Sequence, residues 1–306
     1  MAQVSIGLPV FNGETYLQVA LDSLLVQTYT DFELIISDNG SSDRTQEICR
    51  EYASNDRRIR YYRNERNQGA AWNYNHVFHL SSGKYFKWAA HDDMCAPTFL
   101  EKCVEKLEEN PAIVLCYPKT IIIDEGGNHV KPYFDNLSLT ATKPSERFKY
   151  FHRSLRRVGE RNAIFGLIRA DILKESALIG SYVSSDTILL GELALRGEFF
   201  EVPEYLFFRR DHSQTSVNAN PEPNKRVVWF DIQKKDNILL PTWRWFYEYI
   251  CSIMRVQLRG LERISCFIEM GKWFKRHFKG LIVDLETAGK QLLNRTIHRY
   301  RSLSAN

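Results

Sequence analysis

Over residues 4 to 124, short apolar and β-branched runs alternate with helix-patterned segments, and no other feature constrains the fold as tightly. Val4–Val10 reads as a strand ended by the Asn12-Gly13 turn, and residues 32–36, 59–62 and 84–89 repeat the pattern. Between the first two, Leu17, Leu21, Leu24 and Leu25 lay an apolar stripe along a helix, and Thr15 and Gln18 have capping-box spacing for it. Helices are expected over 44–52 and 70–80. Pro97 suits the first turn of another that runs to Glu109. Strands over 113–117 and 120–123 complete the series. The alternation predicts an α/β fold, a mostly parallel sheet with helices on both faces.

Beyond Asp124 the rhythm loosens. Gly126-Gly127-Asn128 reads as a hairpin turn, 145–155 as a helix, 163–169 as a strand, and Asp186 opens an apolar helix. Strands are expected over 199–202 and 206–210, then a polar, proline-containing linker over 218–224, with helices after it. This divides the chain into a catalytic unit over 1–217, with halves 1–124 and 125–217, and a linker plus helical region over 218–306.

Charge follows the same division. Residues 242–306 hold 12 Lys and Arg against 5 Asp and Glu, a net of +7; the formal total is +4, so the rest carries −3. The tail adds Trp243, Trp245, Phe246, Tyr247, Tyr249, Trp273, Phe274 and Phe278. A basic, aromatic, helical segment either packs its rings on the main domain or lies on an anionic bilayer. The modest total charge gives no footprint for nucleic acid. An apolar fraction of 44% with 25% charged residues excludes disordered and fibrous classes. No apolar run approaches the ~18 residues of a membrane span. The six cysteines show no metal or CxxC spacing, and no leader pattern opens the sequence. A reduced, cytoplasmic protein is expected, with the inner membrane face as its peripheral site.

In open parallel sheets, ligands collect beyond the C-terminal strand ends. Three such ends are polar here: Pro9-Val10-Phe11-Asn12-Gly13-Glu14, Asp38-Asn39-Gly40-Ser41-Ser42-Asp43 and His91-Asp92-Asp93. Neither a G-x-G-x-x-G nor a P-loop pattern is present. Adjacent carboxylates on a loop repel unless a cation lies between them, and oxygen donors completed by a diphosphate are a common setting for Mg²⁺ or Mn²⁺.

Taken in order with Asn67-Gln68-Gly69, these motifs resemble the family 2 glycosyltransferases, inverting nucleotide-sugar enzymes with a Rossmann-like GT-A fold. The resemblance covers residues 4 to 215. It implies a nucleotide site of Pro9, Val10, Phe11, Asn12, Glu14, Asp38, Asn39, Arg66, Asn67, His91 and Asp92, with Asp38 accepting from a uracil-type imide. It implies a metal element of Asp92 and Asp93, assisted by His212, that takes Mn²⁺ or Mg²⁺. It implies Asp186 as the base that deprotonates an acceptor hydroxyl. Family members often carry a further acid where Ala90 stands, which puts a ribose contact in question. The Gln-x-x-Arg-Trp signature of processive synthases is missing, which favours single additions. The partners implied are a nucleotide-sugar donor, UDP-linked by preference, and a saccharide or lipid-linked saccharide acceptor, as in surface polysaccharide or glycolipid assembly. Tyr133, Phe134, Trp88, His152 and Arg161 are candidates for the acceptor wall. Two rival classes remain, a nucleotidyltransferase and a decayed carbohydrate-binding scaffold; Ala90 favours the second, while the missing phosphate loop opposes the first.

Overall fold

A computed structural model describes residues 2–155, 161–219, 223–231 and 240–303. Its elements run β1 (Val4–Val10), α1 (Leu17–Leu25), β2 (Phe32–Asp38), α2 (Thr45–Asn55), β3 (Ile59–Arg63), α3 (Ala70–His79), β4 (Tyr85–Trp88) and β5 (Met94–Cys95). There follow α4 (Phe99–Glu109), β6 (Ile113–Ile123), β7 (His129–Tyr133), α5 (Pro144–Ser154), a 3-10 turn (Asn162–Phe165), β8 (Leu167–Arg169), α6 (Ala170–Lys174), α7 (Ser185–Arg196) and β9 (Glu198–Arg210). The chain continues through α8 (Ser216–Ala219), α9 (Pro223–Phe230), α10 (Pro241–Arg255) and α11 (Gly260–Leu303).

One sheet has the order β3-β2-β1-β4-β8-β6-β9-β5, with β7 alongside β6. β1 lies parallel to β2 and β4, β2 to β3, and β6 to β9. β8 is antiparallel to both β4 and β6, so β6 and β9 point the same way as the first four strands. β5 and β7 are the remaining antiparallel members. The sheet is therefore mostly parallel in direction. Every residue of β1 and β2 is buried, as expected where helices cover both faces. Val4, Ile6, Leu8, Leu34 and Ile36 pack with Leu21, Ile48 and Phe99 on one face. On the other, Ile35, Phe86 and Trp88 meet Val77, Phe148, Leu193 and Tyr249.

Several boundaries differ from the sequence reading. The strands expected at 113–117 and 120–123 are one strand, β6, and those at 199–202 and 206–210 are one strand, β9. Their pairing shifts register where Pro118 faces Val202, just before Pro203. Proline removes a ladder N–H without ending the strand, so the sequence shows a break where the structure has a bulge. The strand expected over 163–169 begins as a 3-10 turn closed by Gly166 N–H to Ala163 O at 3.0 Å. Thr15 does not cap α1; Gly13 O accepts the Tyr16 and Leu17 amides at 3.2 and 3.1 Å. Residues 220–222 of the expected linker lie outside the described residues, and 223–230 are helical.

α10 and α11 are fastened to the sheet domain. Glu192 of α7, with no exposure, holds Arg196 at 2.9 Å and also pairs with Arg255 of α10. Tyr249, Ile253, Met270 and Trp273 belong to the same buried cluster as α7. Trp245 Nε1 donates to Val183 O at 2.8 Å, and Phe246 stacks on Trp273 at 5.8 Å between ring centres. Most of the tail's aromatic rings are thus used inside the protein. Among the described residues no helix is long and apolar enough to cross a membrane.

Candidate active site

Beyond the ends of β1, β2 and β3 three loops are laced together. Val10 O accepts the Asn39 amide at 2.8 Å. Asn12, at φ 51°, takes the Ser42 amide on Oδ1 and gives its own N–H to Ser41 Oγ, both at 2.9 Å. Glu14 N–H donates to Asp43 Oδ2 at 3.0 Å, and Glu14 Oε2 accepts from the Arg44 amide at 2.9 Å. Asn39 spans to the third loop, accepting from Gln68 N–H and Asn64 Nδ2 and donating to Asn67 Oδ1, all within 3.0 Å. At Gly40, φ is +77° and any Cβ would stand 2.9 Å from the Arg66 backbone, so both conformation and space require glycine.

Asp38 is turned into this lattice and has no exposed surface. Its Oδ1 accepts the Ser41 amide at 2.8 Å, and its Oδ2 accepts Tyr61 OH at 2.9 Å and Arg63 Nε at 3.1 Å. A buried carboxylate must be paired, and Tyr61 and Arg63, two apart on β3, supply the partners. Neither was picked out by sequence, although a strand-end aspartate followed by a neighbouring Tyr-x-Arg strand is a signal for such pairing. Pro9 and Val10 are likewise buried within β1. The side chains left open on this rim are Phe11 (43% exposed), Asn12, Glu14 and Arg66, with Asn67 half-buried.

The end of β4 carries the acidic element. His91 packs over Gly13, where a Cβ would come within 2.7 Å of its ring. Asp92 Oδ2 and His212 Nε2 are 2.9 Å apart. The Gln214 amide donates to His212 Nδ1 at 3.3 Å, which assigns the ring proton to Nε2 and makes Asp92 its acceptor. Burial works to raise the Asp92 pKa, but His91 and the His212 hydrogen bond outweigh it and hold the carboxyl below its ordinary range. Asp93 is buried, accepts the Arg210 amide at 2.9 Å, and is pushed upward by burial and by the charge of Asp92.

Arg210 is a fixed strut. Its guanidinium donates to the carbonyls of Asp92, Asp124 and Glu125 at 2.9 to 3.0 Å and lies 4.7 Å from the Tyr16 ring centre. Tyr16 in turn sits 4.8 Å from the His212 ring. Behind Asp93, the buried Lys87 ammonium donates to Phe165 O at 2.6 Å and lies over the Phe99 ring.

Asp186 is the second residue of α7, following Ser184 at φ 64°. Burial raises its pKa despite the Thr187 amide and the charge of Arg161. Tyr74, from α3, ties the two acidic elements together: burial, and then the charges of Asp92, Asp93 and Asp186, push its phenol up. The fold thus places the adjacent pair Asp92-Asp93 and the distant Asp186 within the electrostatic reach of one buried phenol, which no motif in the sequence marks.

The expected acceptor wall divides. Trp88 has no exposed surface and donates from Nε1 to Tyr74 O at 2.8 Å, and His152 is boxed by Phe148, Phe151 and Tyr249. Both are core residues, because β4 and α5 face the covered side of the sheet. Phe134 is half exposed, while Arg161 is buried with Nε and Nη2 unpaired.

Among the described residues no group of three His, Cys, Asp or Glu side chains converges as a metal cage. The adjacent carboxylates of Asp92 and Asp93 nonetheless fit the manner in which Mg²⁺ or Mn²⁺ is held by one or two carboxylates with substrate phosphates, whereas both His212 nitrogens are already engaged, so the expected His212 ligand is not placed for a metal.

A parallel sheet with an acidic loop beyond its central strand is the architecture of a nucleotide-sugar transferase. The model of glycosyl transferase family 2 matches residues 5–175, more than half of the chain, and the chain belongs to that family. An uncharacterized glycosyltransferase of Rickettsia typhi is 34% identical over 148 residues, 47% of this chain and 42% of its own. The Escherichia coli chondroitin synthase is 29% identical over 153 residues, 48% of this chain and 22% of its own. The chain thus spans less than half the length of these curated relatives. Among solved structures, S. aureus TarS 1–349 in complex with UDP superposes with a TM-score of 0.61 at 15% identity, covering 90% of this chain and 72% of that one. A Pyrobaculum calidifontis mannosyltransferase in complex with GDP-Man and Mn²⁺ gives 0.51 at 11% identity, covering 95% and 87%. These likenesses establish the GT-A-like fold.

Proposed function

We propose that residues 1–217 transfer a sugar from a nucleotide-diphosphate donor, UDP-linked by preference, to a hydroxyl of a saccharide acceptor with inversion at the anomeric carbon. The observation that carries this reading is the Asp92-Asp93 pair beyond the end of β4, held by His212 at 2.9 Å and by the Arg210 amide at 2.9 Å at the sheet's ligand-binding end. The UDP bound to TarS and the GDP-Man and Mn²⁺ bound to the mannosyltransferase support the donor class.

In this reading Phe11, Asn12, Glu14, Arg66 and Asn67 meet the nucleoside, and Asp38 and Asn39 hold the cradle. Asp92 and Asp93 would hold a divalent ion, Mn²⁺ or Mg²⁺, which when bound supplies charge compensation to the departing diphosphate. His212 orients the Asp92 carboxylate through Nε2–H. Asp186, its pKa raised, takes the proton from the acceptor hydroxyl as that oxygen attacks the anomeric carbon from the face opposite the diphosphate. The acceptor is a lipid-linked saccharide of surface polysaccharide or glycolipid assembly, met where the C-terminal helices rest on an anionic bilayer at the cytoplasmic face.

Calorimetric titration with UDP and GDP, with and without Mn²⁺, tests the reading. Metal-dependent binding of one nucleotide, lost in Asp92→Ala, is the expected result. A folded protein that binds neither nucleotide under any condition overturns it.

A further inference from the structure

α11 has two faces of opposite fate. Cys266, Met270, Trp273, Leu281 and Ala288 are buried against the protein. The other face carries Leu261, Ile264, Ile268, Phe278, Ile282 and Leu285, between 39% and 80% exposed. Leu261, Ile264 and Ile268, and then Phe278, Ile282 and Leu285, are spaced three and four apart, and the step of ten residues between the two sets brings them back to the same side of the helix. Six large apolar side chains so arranged are an unpartnered surface rather than scattered exposure.

The charges on this face are one-sided. Lys272, Lys275, Lys279 and Lys290 are exposed beside the stripe, against Glu286 as the exposed acid among the described residues of 261–293. Glu262, by contrast, is engaged with the Ser145 amide at 2.9 Å, and Glu269 and Asp284 are buried. At the edge of the stripe, α5 and α11 enclose a cavity of about 390 Å³ lined by Lys149, Arg153, Lys272, Lys275, Arg276 and Glu269. Five cations there face one carboxylate, which Lys272 and Arg276 already engage at 3.4 and 3.1 Å.

We infer that this face of α11, with the basic cavity beside it, is the surface by which the protein lies on an anionic bilayer, and that the cavity takes a phosphate-bearing lipid headgroup. A second copy is the poorer occupant. It would set the lysines of one stripe against those of the other, and Gly271, Lys275 and Gly289 fall where a helical seam needs apolar knobs. An anionic surface complements the lysines and accepts the apolar side chains a few ångströms below its headgroups. The surface identified shares only Phe278 with the aromatic set that the sequence brings forward, since most of those rings are internal. It rests on the proposed bilayer contact, giving it a place on the molecule, and does not depend on the transfer chemistry.

The test uses the full chain and sedimentation with vesicles of phosphatidylcholine alone or with phosphatidylglycerol. Thermal melting controls for folding, and a separate UDP titration reports on the transferase reading. Binding is expected with the anionic vesicles and to weaken with salt. Each lysine near such a surface contributes about fivefold in partitioning, so K275Q/K279Q/K290Q should bind roughly a hundredfold more weakly. I268S/F278S/I282S should lose binding with its melting temperature intact. No binding by the folded wild type, equal binding to neutral vesicles, or binding untouched by both variants overturns the proposal. So does a stable dimer that F278S dissociates in a protein that ignores vesicles. UDP binding without vesicle binding sinks this inference together with the bilayer contact it rests on and leaves the donor chemistry standing, and the reverse sinks the transferase reading alone.

Discussion

The two sides of the crevice are built differently. On the nucleotide side the buried polar groups of the loops after β1 and β2 are used: the Asn39 side chain bonds four neighbours, and Asp38 takes three donors. On the side of Asp186, Arg161 Nε and Nη2, Asn162 Nδ2 and Ser185 Oγ are buried without a hydrogen bond. Each such group costs on the order of 1–3 kcal/mol relative to a satisfied one. The first side is prepared in advance for its ligand. The second holds unpaired polar capacity; if the proposed hydroxyl-rich acceptor binds there, it would recover part of that cost.

The largest effect is expected at the acidic element. Asp92→Ala should lower transfer by about 10⁴-fold or more, and chelation of divalent ions should do the same to the wild type. An active, chelator-resistant Asp92→Ala protein would remove this element from the chemistry and leave the nucleotide side as the sole functional half.

Next comes Asp186→Asn, with turnover reduced by about 10²–10⁴-fold and nucleotide affinity unchanged. Calorimetry alongside a steady-state assay separates the two sides of the crevice. Equal loss of affinity would mean that Asp186 holds α7 in place and does not act as a base.

The link between the acceptor side and the C-terminal helices gives a third expectation. Glu192→Ala removes one of the two carboxylates that Arg196 engages, leaving Glu175 at 2.7 Å, and frees Arg255, so stability should fall by about 1–3 kcal/mol. Denaturant unfolding measures it. A change below 1 kcal/mol would show that apolar packing of Tyr249, Ile253 and Trp273 alone secures α10 and α11.

How much was legible in advance follows the same contrast. The βα rhythm of residues 4–124 is local, with apolar period and turn residues close in sequence, so its strands and helices were placed to within a few residues. The loop motifs were visible because polar strand ends are unusual. What escaped depends on contacts distant in the chain. Asp38 looks like an open ligand until Arg63 arrives from β3, and Tyr74 looks like an ordinary helix residue until its phenol is buried within the field of Asp92, Asp93 and Asp186. Lys87 is alternating strand sequence until Phe99 and Phe207 enclose it. The tail's aromatics and its exposed stripe share one composition, and packing alone separates them.

The smallest effect sharpens the comparison through pH. Asp135 is buried beside Arg161, and burial lifts its carboxyl to about 6 against the help of the Ala163 amide and the Arg161 charge. In the unfolded chain the same group titrates near ~3.9. Between those values the native protein holds more protons than the unfolded one, so stability falls as pH rises from about 4 to about 6 and is level on either side. Asp135→Asn removes that slope while keeping an acceptor for the Ala163 amide. Relative to the wild type the variant should therefore gain on the order of 2 kcal/mol across this window, read from melting curves at several pH values. Arg161→Met should act in the opposite sense, widening the window upward by removing the cation that restrains Asp135. If both variants run parallel to the wild type at every pH, Asp135 titrates normally, and the contrast between a satisfied and an unsatisfied wall loses its strongest electrostatic support.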